Sequence, residues 1–178
     1  MATPAAPAHS RQVRPRRRHI VLAATGAVLL SGCGFELRRA PALNFRTIQL
    51  RGFADRSPLA EELRVNIDAS RTTLVVDSLA QADVVLQVLA DARERSVVAS
   101  TSAGQVRELQ LRSRFVFRLS TRSGRVLIPT REIRLDRDMS YSETIALAKE
   151  QEEAALFRAM QSDIVSQVMR ILSAVSAV

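Results

Sequence analysis

The 178-residue chain has no tryptophan, one tyrosine, one cysteine and two histidines. Both histidines, His9 and His19, fall within its first twenty residues. Beyond them no imidazole remains, so a Ser-His-Asp relay cannot be assembled, and nucleophilic catalysis of that kind is excluded. A lone cysteine cannot close an internal disulfide or build a thiolate metal site. Glycines are few, at six, and those beyond residue 34 stand at turns, so no glycine-rich phosphate loop is present. The carboxylate pairs Asp136/Asp138 and Glu152/Glu153 suit solvated faces better than acid–base work. No enzyme, metal site or cofactor is expected.

Basic residues outnumber acidic ones by 26 to 18, a formal charge of +8. That surplus is concentrated near the start. Residues 1–32 hold Arg11, Arg14, Arg16, Arg17 and Arg18 and no acid; without them 21 basic side chains face 18 acidic ones. The remaining charge is too small to mark a nucleic-acid surface. An apolar share of 47% and a charged share of 25% describe a single globular domain.

The start of the chain reads as a lipoprotein leader. A cationic stretch ends at His19, and Ile20 to Leu30 form an uncharged apolar run of 11 residues. As a helix this run would reach about 16 Å, roughly half of a ~30 Å hydrocarbon core. It suits a signal-peptide core, not a permanent span. Leu30-Ser31-Gly32-Cys33 then has the form of a lipobox, with an aliphatic residue and two small ones before the cysteine. A buried free thiol is the competing reading of Cys33, but its place directly after such a leader favours lipid attachment. Residues 1–32 are expected to be the signal peptide, 33–43 a lipidated tether and 44–178 the folded domain. Gly34 follows the cysteine where an inner-membrane retention signal would need Asp, so outer-membrane sorting is expected.

Within the domain, Asn44 to Arg51 suits a first strand ended by Gly52. Ser57-Pro58 reads as a helix start, with Ser57 as cap and Pro58 at the first position, followed by Leu59, Leu63 and Ile67 on one face. Thr72 to Val76 suggests a brief extended segment, and Ala82 to Ala99 one long strand bent near Asp91. Turns are expected at Ser102–Gln105 and Thr121–Gly124. Between them Leu109, Leu111, Phe115, Phe117 and Leu119 alternate with Gln110, Arg112, Arg114, Arg118 and Ser120, the pattern of a half-buried strand. Val126 to Met139 returns as another strand, Pro129 marking an edge or bulge. A long helix starts between Ser142 and Glu150, striped by Phe157, Met160, Ile164, Val168 and Ile171. The pattern predicts an α+β fold, about four mostly antiparallel strands with two helices packed on one face.

Two features could serve binding. Arg112, Arg114 and Arg118 form a cationic stripe, read either as solvated sheet surface or as a face for an anionic partner such as a phosphorylated lipid. Nucleic acid fits poorly, because Phe115 and Phe117 point away from these arginines. Lys149 is the only lysine, either an accident of an arginine-rich composition or a position that needs a compact ammonium.

Three stretches resemble the LptE family of lipopolysaccharide-assembly lipoproteins: Cys33-Gly34-Phe35-Glu36-Leu37-Arg38, Val126-Leu127-Ile128-Pro129, and Ile145-Ala146-Leu147-Ala148-Lys149-Glu150. Gly104-Gln105 and the long terminal helix continue the likeness. The resemblance implies a lipid-anchored outer-membrane protein of a Gram-negative cell. It would plug the β-barrel LptD as a 1:1 complex, help that barrel assemble, and bind lipopolysaccharide during delivery to the outer leaflet. It also implies that Lys149 contributes to lipopolysaccharide binding. A second basic residue of the family aligns with Ser102, a departure that leaves Arg107 as the nearby substitute. The alternative is an anchored periplasmic module serving another envelope complex.

Overall fold

A computed structural model describes residues 41–176. The expected signal peptide and Cys33 lie outside these residues. The chain runs β1 (Thr47–Arg51), α1 (Pro58–Ala69), β2 (Leu74–Val75), a 3-10 turn (Leu79–Gln81), β3 (Val84–Ser100), β4 (Val106–Thr121), β5 (Val126–Ser140), a second 3-10 turn (Glu143–Ile145) and α2 (Ala146–Ser173).

The α+β class is as expected, but the sheet has five strands, ordered β2-β1-β3-β4-β5, and is mixed. β3, β4 and β5 form an antiparallel meander. β1 instead runs parallel to both β2 and β3, pairing Ile48 with Val75 on one side and with Val84 on the other. The reason is connectivity. A helix between β1 and β2 brings the chain back to the same end, so the next strand must run the same way. The Thr72–Val76 segment pairs for only two residues, which supplies the unexpected fifth strand.

Helix α1 begins as its sequence dictates. Ser57 Oγ accepts the Ala60 N–H at 3.3 Å and Pro58 occupies the first turn. Leu59, Leu63 and Ile67 are its buried residues. α2 buries Met160, Ile164, Val165, Val168, Met169 and Leu172. Both helices join one apolar cluster with Ile48, Val84, Leu86, Val88, Phe115, Phe117 and Leu119. Phe117 stacks on Phe115 at 5.5 Å between ring centres, and Phe53 continues the row at 6.2 Å. A smaller cluster of Leu109, Leu111, Met139 and Met160 carries the core toward the β3–β4 turn.

The break in β3 falls at Leu89, slightly ahead of the expected bend. Val88 pairs with Phe117 and Ala90 with Val116, so Leu89 is the extra residue of a bulge. A bulge shifts which positions face the helices. Before it, Val84, Leu86 and Val88 point inward; after it, Asp91 and Arg93 stand opposite Phe115 and Ser113 on that same face. The arginines beyond the bulge meet α2. Arg93 lies over the Phe157 ring at 5.8 Å and donates to Gln161 Oε1 at 2.6 Å. Arg95 pairs with Glu153 at 3.2 Å.

Gln161, 9% exposed, also donates to Glu62 Oε2 at 2.6 Å and to the Pro58 carbonyl at 3.3 Å. One buried amide thus ties α1, α2 and β3 together. Gly52 holds the other close approach. Its φ is +82°, and a Cβ there would sit 2.5 Å from the Val88 carbonyl oxygen.

Two outcomes follow. Gly52→Ala is expected to lower unfolding free energy by about 1–3 kcal/mol, read by urea titration; an unchanged midpoint would show that β1 can move off β3 freely. Gln161→Leu keeps the volume but strands Arg93 and Glu62, and should cost roughly 1–3 kcal/mol. A neutral result in the same titration would mean water replaces the amide.

Candidate functional site

The β3–β4 hairpin, the end of β5 and the start of α2 meet at one end of the sheet. The Thr101 N–H donates to the Gln105 carbonyl at 2.8 Å and the Gln105 N–H to Thr101 Oγ1 at 3.1 Å, closing the hairpin, while the Gly104 N–H donates to the Thr101 carbonyl at 2.9 Å. Gly104 has φ of +79°, a left-handed conformation that glycine adopts without strain. Ser102 is exposed in this turn.

Arg107 is the second residue of β4. Its carbonyl accepts the Tyr141 N–H at 2.8 Å, and the adjacent Glu108 pairs with Ser140. Lys149, in the first turn of α2, donates from Nζ to Ser140 Oγ at 3.0 Å and to Glu152 Oε2 at 2.8 Å. The structure therefore brings Arg107 and Lys149, 42 residues apart in sequence, to one end of the molecule. Their states differ. Lys149 is only 13% exposed and already charge-paired, whereas Arg107 is exposed and has no ion-pair partner among the described residues. Val97, Val98, Ile145 and Leu147 leave about half or more of their surface bare at this same end. Exposed apolar side chains and cations at one end suit an amphiphile with an anionic head.

The stripe of Arg112, Arg114 and Arg118 takes the solvated-sheet form. Arg112 Nε donates to Asp136 at 2.7 Å, Arg114 meets Glu132 at 3.1 Å, and Arg118 donates twice to Gln87 at 3.0 and 2.7 Å. The Asp136 hydrogen bond, aided by its charge, holds the Arg112 guanidinium even above its ordinary value. Such cross-strand pairs neutralise the face. On the opposite face, partial burial pushes the Asp91 carboxyl up, and the Arg93 charge pulls the other way.

A second cationic site is not visible in the sequence. Arg125, Arg131 and Arg170 line an open groove of about 810 Å³ between the edge strand β5 and the last turns of α2. Its floor includes Leu127, Ile128 and Ile171. The three arginines are scattered over 46 residues and form no local motif. Only the packing of α2 beside β5 assembles them. Among the described residues, no cluster of His, Cys, Asp or Glu could hold a metal ion, and no helix is long and apolar enough to cross a membrane.

A long mixed sheet covered by helices on one face, with exposed apolar and cationic side chains at one end, defines a small α+β domain. A family model described as LptE, lipopolysaccharide-assembly, matches residues 45–172. The chain belongs to this family. Its fold is similar to that of an uncharacterized lipoprotein B from Nitrosomonas europaea, solved by NMR. That protein shares 30% identity at a TM-score of 0.65, over 79% of this chain and 91% of that one. A minor lipoprotein from Acinetobacter baumannii shares 23% identity at a TM-score of 0.61, over 74% and 93%. The rare lipoprotein B from Shewanella oneidensis shares 20% at 0.62, over 72% and 94%. No curated protein matches the chain.

Proposed function

We propose that this chain is a lipid-anchored outer-membrane lipoprotein that plugs and helps assemble an LptD-type β-barrel, and that it binds lipopolysaccharide during delivery to the outer leaflet. Membership of the LptE family over residues 45–172 carries the reading. The match runs from just before β1 almost to the end of α2, so it takes in every element that positions the tip. The tip adds physical support. Val97, Val98, Ile145 and Leu147 offer acyl chains an apolar surface, while Arg107 supplies a free guanidinium able to grip a phosphate bidentately. The work is contact and not chemistry, consistent with a domain that has no histidine.

Lys149 enters this picture already paired with Glu152. An incoming lipid A phosphate would have to displace that carboxylate or share the ammonium with it. Two opposed effects follow. Lys149→Glu should weaken binding of purified lipopolysaccharide with an unchanged circular-dichroism spectrum. Glu152→Gln should strengthen it, because the lysine loses its competing anion. Binding that responds to neither substitution would remove Lys149 from the site.

Purification of the lipoprotein from envelopes in mild detergent tests the wider reading. A 1:1 complex with a large outer-membrane barrel is expected, together with a mass showing residues 1–32 removed and Cys33 acylated. A free lipoprotein, or one held by peptidoglycan, would instead support a module of another envelope complex. An intact leader or bare thiol would end the anchoring assignment without touching the barrel result.

A further inference from the structure

The end of the molecule opposite the hairpin tip is where the folded domain begins. Asn44 Nδ2 donates to the Val175 carbonyl at 2.7 Å, fixing the entering chain against the end of α2. Asp83 Oδ2 accepts the N–H groups of Arg46 and Thr47, each at 3.0 Å, and the Asp83 carbonyl accepts the Arg122 N–H at 3.1 Å. The start of β1, the β4–β5 turn and the last turn of α2 are therefore one surface.

The groove of Arg125, Arg131 and Arg170 opens at that surface. No carboxylate lines it, and these three side chains form no ion pair among the described residues. The contrast with the sheet face is sharp, where Arg112 and Arg114 both have acids beside them. Unpaired guanidiniums above an apolar floor of Leu127, Ile128 and Ile171 match a ligand with an anionic head and a hydrocarbon body. Pro129 has no N–H to offer an added strand at this edge of β5, which disfavours an extended peptide as occupant.

Chain length selects the source of that ligand. Cys33 precedes Pro41 by eight residues. Fully extended, they reach at most about 28 Å. An acylated Cys33 would keep this surface, and not the tip, beside the leaflet that holds the anchor. We infer that the Arg125–Arg131–Arg170 groove binds the headgroup and upper acyl region of an anionic phospholipid in the anchoring leaflet. This step rests on the anchoring part of the proposed function. Two points on the membrane, one covalent and one electrostatic, would then fix how the domain stands on its bilayer.

The test uses the full-length purified lipoprotein in a zwitterionic detergent, titrated with dihexanoyl phosphatidylglycerol while arginine side-chain NMR signals are followed. Saturable shifts at Arg125, Arg131 and Arg170 are expected, weakening as salt rises. Dihexanoyl phosphatidylcholine should bind at least tenfold more weakly, and so should glycerol phosphate, which has the charge without the chains. Replacing all three arginines by Gln should weaken phosphatidylglycerol binding at least tenfold while leaving lipopolysaccharide binding intact. Lys149→Glu should do the reverse. The single variant Arg170→Gln gives a smaller loss if the triple variant folds poorly. Equal binding of the two lipids, equal binding of glycerol phosphate, or loss of phosphatidylglycerol binding in Lys149→Glu would each overturn the inference. None of these readings depends on acylation, so a bare thiol at Cys33 would undo the anchoring premise while leaving the groove's own chemistry measured.

Discussion

Everything in this domain hangs on β4 meeting α2. The odd positions of β4 present Leu111, Phe115, Phe117 and Leu119 with no exposed surface. α2 answers with Met160, Ile164, Val168 and Leu172, equally covered or nearly so. Burying each such side chain contributes roughly 1.5–3 kcal/mol. β4 also holds the sheet, since β3 and β5 pair along almost its whole length. With one face of a long meander covered by the helices, the other face must be polar, and the charge ladder of Arg112, Arg114, Asp136 and Glu132 follows from that.

Those two elements were also the most legible in the sequence, and for the same reason. Their periods, two and 3.6, are unmixed because one face of each is buried along its length. The start of α1 was legible because Ser57-Pro58 carries a local capping chemistry that packing does not alter. Strand order was not. Nothing in Thr47–Arg51 says that its partners lie in Leu74–Val75 and Val84–Gln87, nor that both run parallel to it. Pairing across a crossover is a property of the connection, not of the strand. β3 fell between these cases. Its apolar run was plain, but the residue added at Leu89 moves the inward set from even to odd numbers, and a reader following one parity loses Asp91, Arg93 and Arg95 to solvent.

That shift has a functional side. Because charges face inward beyond the bulge, the distal part of β3 meets α2 through Arg93–Gln161 and Arg95–Glu153 in place of apolar packing. The smaller core there consists of four buried residues, against nineteen in the main cluster. The tip is thus the less deeply cored part of the domain. Regions held by few buried apolar contacts open at lower free energy than the rest. A tip that bound a large amphiphile would benefit from such compliance, while the opposite end is packed around Phe115 and Phe117 in the larger core.

Sites were harder to read than folds because a site is a coincidence of distant residues. Lys149 stood out by being the one lysine, yet its pairing with Glu152 and Ser140 belongs to the folded chain alone. Arg125, Arg131 and Arg170 did not stand out at all among so many arginines. What sets them apart is their convergence on one groove that no acid lines, and that convergence exists only in three dimensions. Most of the domain's arginines with a resolved ion pair lie on the sheet's outer face or along α2. A nearly balanced net charge can therefore hide a polarised molecule. Arg112, Arg114, Arg134 and Arg137 are charge-paired along its length, while Arg107 at the tip and the Arg125–Arg131–Arg170 groove at the other end have no ion pair among the described residues. β4 alone spans 16 residues, about 50 Å at strand rise. Over that distance, several times the ~10 Å Debye length at ordinary ionic strength, the two open cationic ends act independently. A ligand at one leaves the other's field unchanged, so a lipid in the groove and an amphiphile at the tip would bind without competing.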